Sequence, residues 1–149
     1  MNHPRRDKDE IARRDMLAGK IISDEVTLKI IDDALSPINT KSDEVIFEGN
    51  PRSIPQARWW MKQDEDGRFK IRAVIHLVAS PKVAAERLVE RGRLDDHDPN
   101  VVETRFAEYH RSITPTLEFL KQQGVKVVEI SADGTIDQEA ALIHKALGV

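Results

Sequence analysis

The segment of residues 44–56 constrains the fold of this 149-residue chain more than any other. It begins with a short apolar run, residues 45–47, whose β-favouring side chains predict a strand. The Gly-Asn-Pro sequence at residues 49–51 then predicts a tight turn, and Pro55 is tolerated in the first turn of a following helix. This order of strand, loop and helix is typical of a parallel α/β sheet, in which such loops lie at the carboxyl edge where ligands bind.

Two side chains of this segment are suited to contact a ligand. Arg52 follows the turn directly and offers a planar set of donors that matches a phosphate. Gln56 lies about one helical turn later and carries both a donor and an acceptor, as the reading of a base edge requires. Spacing alone is also typical of a sharp turn with a surface arginine, and that alternative stays open at this point.

A second segment, residues 87–96, concentrates charge. Its sequence is Arg-Leu-Val-Glu-Arg-Gly-Arg-Leu-Asp-Asp. Arg87 and Arg91 are four residues apart, so they share one face of the predicted helix, where a bound anion would relieve their repulsion. The alternative is that Glu86 and Glu90 neutralise them as solvent-exposed pairs.

The two segments together resemble the nucleoside monophosphate kinase family, and adenylate kinases most closely. The resemblance rests on the order of the motifs. They are Glu-Gly-Asn-Pro-Arg-x-x-x-Gln at residues 48–56, Arg-x-x-x-Arg at 87–91, Arg-x-Asp-Asp at 93–96, and the later Arg105. The Gly-Lys-Ile-Ile-Ser-Asp-Glu run at residues 19–25 resembles a further segment of the family, although by itself it is typical of a turn between two helices.

The resemblance implies a role in phosphoryl transfer for each of these residues. Arg52 and Arg93 are expected to hold the phosphate of AMP, and Arg105 to reach the transferring group. The residues expected to act in catalysis are Arg52, Arg91, Arg93 and Arg105. Those expected to bind AMP are Lys20, Ile21, Ile22, Gly49, Arg52, Gln56, Arg93 and Arg105. Those expected on the ATP side are Arg87, Arg91 and Ile136, and those expected to order a short lid, about residues 92–99, are Asp95 and Asp96.

The resemblance also implies a P-loop NTPase-like α/β fold, with helices flanking a parallel sheet in one domain, residues 1–149. Residues up to about 40 are expected to belong to the monophosphate-binding region. Residues 44–48, 73–79 and 125–130 resemble the third, fourth and fifth strands of the family. The apolar run at 73–79 predicts burial on both faces, and His76 within it is expected to be a core residue rather than a ligand.

The 149 residues contain no Gly-x-x-x-x-Gly-Lys-Ser/Thr motif, which in this family cradles the phosphates of ATP. We therefore expect a chain without the first strand, P-loop and second strand of the family, N-terminally truncated as written and poor at phosphoryl transfer. The missing strand predicts a gap in the sheet, which either closes or takes a strand from a partner chain. Mg²⁺ is implied with ATP, but no residue here is expected to ligate it, and Glu48 replaces an aspartate that orders the metal site. The alternative is a non-catalytic nucleotide-binding or partner-binding domain.

Composition argues against several other classes of protein. The formal net charge of −3 gives no case for binding a nucleic-acid polymer, and the absence of cysteine excludes disulfides and thiolate metal sites. No apolar run approaches the roughly 18 residues of a membrane span. The first residues lack an apolar core and carry Asp7, Asp9 and Glu10, so no targeting segment is predicted. We expect a cytoplasmic protein whose partners are AMP and ATP or ADP.

Overall fold

The structure, a computed structural model, describes residues 23–38, 43–92 and 99–149, with the backbone alone of Pro99, Val101, Val102 and Arg105. The elements in chain order are α1 (Asp24–Leu35), α2 (Ile54–Glu65), β1 (Val74–Val78), α3 (Pro81–Arg91), α4 (Pro99–Glu108), a π-helical turn (Tyr109–Ile113), α5 (Thr114–Gln122), β2 (Val127–Ser131) and α6 (Ile136–Leu147). The predicted α/β class is confirmed, because a small parallel sheet is flanked by helices.

The sheet joins β1 to β2 in parallel, with His76 opposite Glu129 in the register. The prediction of a further strand at residues 44–48 is wrong, since residues 43–48 have no strand pairing and Ile46 is 93% exposed. A strand needs a neighbour for its backbone donors and acceptors, and no other described segment supplies one here. For the same reason, β1 is not buried on both faces as predicted: Leu77 and Val78 are exposed.

Three helices, α2, α3 and α6, begin where the sequence supplies a capping side chain. Ser53 accepts the backbone N–H of Gln56 at the start of α2, and Ser80 caps α3 in the same way. Thr135 and Gln138 form a reciprocal capping box at the start of α6. These caps fix the points at which α2 and α6 leave the loops that precede them. Ser23 occupies the N-cap position of α1, but its side chain accepts no hydrogen bond there.

The core lies where α1, α2, α5 and β2 meet. α1 packs against α2, α2 packs against α5, and both α5 and α6 pack against β2. The buried apolar residues are Ile31, Leu35, Ala57, Leu120, Ile130 and Ala132. The loop before α2 is therefore held by a helix whose first turns are buried against the rest of the molecule. No helix within the described ranges is long and apolar enough to cross a membrane.

The helical region from Pro99 to Gln122 is divided by the π-helical turn. Pro115 lies in the first turn of α5 and has no N–H to donate, so the regular helical ladder is interrupted at this point. The wider turn lies directly before it and brings Tyr109 to the sheet, where its hydroxyl forms a hydrogen bond with His76 Nε2. Turns of this kind are rare and are found often at functional sites.

Candidate functional site

The loop before α2 presents Arg52 to solvent in a restrained position. Arg52 Nε donates to the carbonyl oxygen of Gly49 over 2.6 Å, and its side chain is exposed. Within the described part of the chain, no hydrogen bond or ion pair engages its two terminal nitrogens. Gly49 has a φ of +73°, and a Cβ there would lie 2.8 Å from a terminal nitrogen of Arg52. The positive φ therefore favours glycine at the turn, and a Cβ there would displace the guanidinium group from its present position.

A buried polar network lies beneath this loop and centres on Gln56, which is 1% exposed. The Gln56 oxygen accepts from the backbone N–H of Arg52 at 2.7 Å and from Asn50 Nδ2 at 2.9 Å. The Gln56 nitrogen donates to Asp24 Oδ1 at 2.8 Å, and Asn50 Oδ1 accepts from the indole N–H of Trp60. These bonds tie the start of α1 and the body of α2 to the loop that carries Arg52. We call this set of residues the Gln56 network.

Further contacts strengthen the same region. The Ser53 hydroxyl donates to Asp24 Oδ1 over 2.6 Å, in addition to capping α2. The ring of Trp60 lies 5.0 Å from that of Phe47 and 5.2 Å from that of Phe69, measured between centroids. The loop is thus held by hydrogen bonds on one side and by an aromatic cluster on the other.

Of the residues predicted on the ATP side, Arg87 has the most defined contacts. Arg87 donates to the carbonyl oxygen of Gly134 at 3.2 Å and to Glu139 Oε1 at 2.6 Å. Its carboxylate partner therefore comes from α6, whereas Glu86 contacts Lys82 instead. The pair ties α3 to the loop that follows β2. The alternative raised from the sequence, in which neighbouring glutamates neutralise Arg87, is not what the structure shows.

The loop that follows β2 is open to solvent. Ile136, at the first position of α6, is 81% exposed. Beside it, a cavity of about 470 Å³ is lined by Ser131, Gly134, Gln138, Ala141, Leu142 and Lys145. Arg91 is exposed at the end of α3. Ile136, Arg87 and this cavity thus lie at the carboxyl edge of the sheet, where ligands bind in parallel α/β folds.

Several predicted site residues lie outside the described residues. They are Lys20, Ile21, Ile22, Arg93, Asp95 and Asp96, together with most of the predicted lid at 92–99. Arg105 is described by its backbone alone, within α4. The roles assigned to these residues stay predictions.

Sequence reasoning missed three members of the Gln56 network: Asp24, Asn50 and Trp60. Asn50 was interpreted only as a turn residue, although its side-chain amide can also form hydrogen bonds with side chains of the helix that follows. Asp24 lies 32 positions before Gln56, and no local pattern links the two. A buried glutamine needs hydrogen-bond partners for both its amide oxygen and its amide nitrogen, and this requirement is the signal that could have led to a search for such residues.

A second polar cluster joins the sheet to the π-helical turn. The side chain of His76 is 14% exposed, and its Nε2 is bonded to Tyr109. Its Nδ1 is buried and has no hydrogen-bond partner among the described residues. A carboxylate oxygen of Glu129 lies 4.0 Å from that Nδ1, and Lys121 donates to the same carboxylate at 2.9 Å. Burial lowers the pKa of His76, against the opposing effect of Glu129 and with a smaller lowering from Lys121.

The neighbours of His76 are shifted by the same environment. Burial raises the pKa of Tyr109, and the charge of Glu129 adds to this effect. The hydrogen bond from Lys121 lowers the pKa of Glu129. Neutral His76 and Tyr109 beside an ionised Glu129–Lys121 pair is therefore the arrangement that the structure favours near neutral pH.

Comparison with known proteins adds the family. A family profile described as adenylate kinase matches residues 6–125. The chain is 30% identical to the adenylate kinase of Corynebacterium aurimucosum, over 88% of this chain and 70% of that protein. It is 32% identical to an adenylate kinase of Prochlorococcus marinus, over 89% of this chain and 70% of the relative. It is 34% identical to the adenylate kinase of Mycobacterium tuberculosis, over 92% and 73% respectively. The chain therefore belongs to the adenylate kinase family.

Proposed function

We propose that this chain serves reversible phosphoryl transfer from ATP to AMP, giving two molecules of ADP. The observation that carries the proposal is the exposed Arg52 guanidinium, which is held over Gly49 at a loop leading into α2, and whose terminal nitrogens are engaged by none of the described residues. A phosphate that approaches this loop meets a charged donor whose position is already set. Such charge-assisted bonds are stronger than neutral ones, and a preset position reduces the entropy lost on binding.

The AMP half of the site is built around this arginine. Arg52 and Arg93 hold the phosphate, Arg105 reaches the transferring group, and Gln56 faces the base. Lys20, Ile21, Ile22 and Gly49 contribute backbone to the same half. Membership of the family and the short path from Gln56 to the Arg52 backbone, a single 2.7 Å hydrogen bond, support this assignment.

The ATP half is proposed at the carboxyl edge, beyond β2. Arg87 and Arg91 lie near the nucleotide, and the backbone at Ile136 lies near its base. Asp95 and Asp96 order the lid. Catalysis then depends on the positioning and charge neutralisation that Arg52, Arg91, Arg93 and Arg105 provide, because phosphoryl transfer asks for little covalent chemistry from the protein.

The Mg²⁺ ion that accompanies ATP in this family is not matched by a ligand set here. Among the described residues, no group of three or more His, Asp or Glu side chains is placed to hold a metal ion, and Glu48 is exposed. No step of the proposed transfer is therefore assigned to a protein-bound metal.

A second candidate is a non-catalytic domain that binds a nucleotide or a partner chain. Two observations favour it: the 149 residues contain no P-loop motif, and β1 pairs only with β2 among the described residues while it exposes Leu77 and Val78. A strand from a partner chain is a proposed occupant of that edge. Under either candidate we propose AMP, ATP and ADP as ligands, a cytoplasmic location, and no role for nucleic-acid polymers or membranes.

The test is a calorimetric titration of AMP, and separately of adenosine, into the wild type, Arg52→Ala and a control, Arg111→Ala. Arg111 is an exposed arginine that pairs with Glu108 on the neighbouring helical turn. We expect Arg52→Ala to weaken AMP binding about ten- to a hundredfold, to leave adenosine binding unchanged, and Arg111→Ala to resemble the wild type. AMP affinity that survives Arg52→Ala unchanged would show that the phosphate site lies elsewhere.

A further inference from the structure

The Asp24 carboxylate joins the starts of two helices through one oxygen atom. Asp24 Oδ1 accepts from the Ser53 hydroxyl at 2.6 Å and from the Gln56 amide nitrogen at 2.8 Å. Asp24 is the first residue of α1, whereas Ser53 is the N-cap of α2 and Gln56 lies in its first turn. Hydrogen bonds to a charged acceptor are stronger than those between neutral groups. The carboxylate therefore fixes the start of α2 relative to α1.

The Gln56 side chain extends this link to the backbone of Arg52. Its oxygen accepts from the Arg52 N–H at 2.7 Å, and its nitrogen donates to Asp24. A backbone N–H only donates and a carboxylate only accepts, so these two neighbours select the same orientation of the amide. Because Gln56 is 1% exposed, water has little access to its nitrogen. Without Asp24 the amide would leave a buried donor unpaired or would move, and in moving it would draw its oxygen away from the Arg52 N–H.

Arg52 is thus restrained at two levels. The bond from its Nε to the Gly49 carbonyl oxygen, at 2.6 Å, fixes the guanidinium group relative to its own loop. The hydrogen bonds that lead from Asp24 through Gln56 fix that loop relative to α1. A group that binds a ligand needs both restraints, since its contacts are precise only when the residues behind it are held as well.

We propose that Asp24 is a positioning residue of the monophosphate site, which acts through Gln56 on Arg52 without touching the ligand. The proposal rests on the proposed function, in which Arg52 holds the phosphate of AMP. A carboxylate repels a phosphate, so a favourable contribution of Asp24 to AMP affinity has to come from its hydrogen bonds and not from its charge. An asparagine oxygen has two lone pairs and is able to accept both of these bonds.

The test is a calorimetric titration of AMP, and separately of adenosine, into the wild type, Asp24→Ala, Asp24→Asn and a control, Asp33→Ala. Asp24→Ala removes the acceptor, whereas Asp24→Asn keeps an acceptor and removes the charge. Asp33 is an exposed aspartate of the same helix, and it pairs with Lys29 within that helix. Thermal unfolding of each variant establishes that it is folded under the conditions of the titration.

In Asp24→Ala we expect AMP binding to weaken by about three- to tenfold while adenosine binding is unchanged. In Asp24→Asn and Asp33→Ala, AMP binding should stay within about twofold of the wild type. Wild-type AMP affinity in Asp24→Ala overturns the proposal, and so does an equal loss for AMP and adenosine, which would indicate a general loosening of the site. A loss in Asp24→Asn as large as that in Asp24→Ala also overturns it, because the charge would then be responsible.

Should Asp24→Ala fail to fold, Asp24→Ser replaces it. Serine suits the start of a helix, but its shorter side chain brings no acceptor to the position of Oδ1, so unchanged AMP affinity in Asp24→Ser overturns the proposal. The outcome is separable from that of the proposed function. If Arg52→Ala weakens AMP binding and the Asp24 variants do not, only the role of Asp24 is overturned. If Arg52→Ala has no effect, or the wild type binds no AMP, both are overturned.

Discussion

The Arg52 side chain is exposed to solvent, but its position is restrained by hydrogen bonds. Its backbone N–H is bonded to Gln56 and its Nε to Gly49, so two contacts restrain the side chain without using its terminal nitrogens. A guanidinium group presents parallel donors to a phosphate, whereas an ammonium group acts as a point charge. Geometry as well as charge should therefore matter at this position.

This difference predicts the behaviour of Arg52→Lys. The substitution keeps the positive charge but loses the Nε bond to Gly49 and the two-point contact with phosphate. We expect AMP binding intermediate between the wild type and Arg52→Ala, weaker than the wild type by about three- to tenfold. Titration of the three proteins with AMP at constant ionic strength measures it, and full affinity in Arg52→Lys would mean that charge alone is sufficient.

His76 leads to a prediction about pH. Because burial lowers its pKa in the folded state, the unfolded chain binds the proton more readily, with an ordinary pKa near 6.5. The stabilisation from neutral His76 is present above that value and is lost as the pH falls toward the lowered pKa of the folded state. The groups that face the ring are Tyr109, Glu129 and Lys121, and Glu129 is the one that opposes the loss.

We expect the free energy of unfolding to decline as the pH is lowered below about 6.5, and His76→Gln to reduce this decline. Glutamine can still bond Tyr109 but does not titrate. Denaturant titrations over this range measure the effect, and an identical pH dependence in His76→Gln would remove His76 as its source.

At the scale of elements, the structure distinguishes two helix starts that both carry a hydroxyl residue at the N-cap position. Thr135 accepts a backbone N–H of α6 and completes a capping box with Gln138, whereas Ser23 at the start of α1 accepts none. Capping energy comes from the hydrogen bond and not from the residue type, so the two positions should respond differently to the same substitution.

We predict that Thr135→Ala lowers the free energy of unfolding by about 0.5–2 kcal/mol and that Ser23→Ala lowers it by much less. Chemical denaturation of both variants beside the wild type tests this. Equal losses at the two positions would indicate that Ser23 caps α1 in solution after all.

The elements also show which parts of the structure can be predicted from the sequence and which cannot. The turn at residues 49–51 and Pro55 predicted the helix that follows Ser53, because turn and cap residues act over three or four positions. The strand predicted at residues 44–48 failed, since an apolar run cannot form a ladder without a neighbour. The candidate site followed the same rule. Arg52 and Gln56 as ligand contacts were predicted from the family resemblance and stay predictions, whereas the hydrogen bond of Gln56 to Asp24, in a different helix, is not visible in local spacing.

At the scale of the whole molecule, the arginine motifs and the P-loop motif, which binds the phosphates of ATP in this family, have to be considered separately. The chain carries the arginine motifs of the adenylate kinase family, while the 149 residues contain no P-loop motif. In the family that motif supplies the backbone donors and the lysine that hold the phosphates of ATP. Binding of AMP and transfer to it should therefore be separable in this polypeptide.

We predict that a polypeptide of these 149 residues turns over more slowly than about 1 s⁻¹, the lower end of the usual enzyme range. ATP binding should be weak and insensitive to Mg²⁺. A coupled assay of ADP formation, with a P-loop-containing adenylate kinase as the positive control, measures the first, and titration of ATP with and without Mg²⁺ measures the second. Turnover within the usual range, or tight Mg²⁺-dependent ATP binding, would contradict this account.

The glycine beneath the Arg52 guanidinium has a consequence that concerns chirality. Two constraints meet at Gly49: a φ of +73°, which L-residues rarely adopt, and a Cβ position only 2.8 Å from the guanidinium. L-Alanine introduced there would violate both. D-Alanine, placed by chemical ligation, would accept the positive φ and would carry its methyl group at the other α-hydrogen, away from the position that Arg52 crowds. The mirror-image residue should thus be the better tolerated of the two, so that the handedness of one methyl group decides whether the Arg52 guanidinium keeps its place.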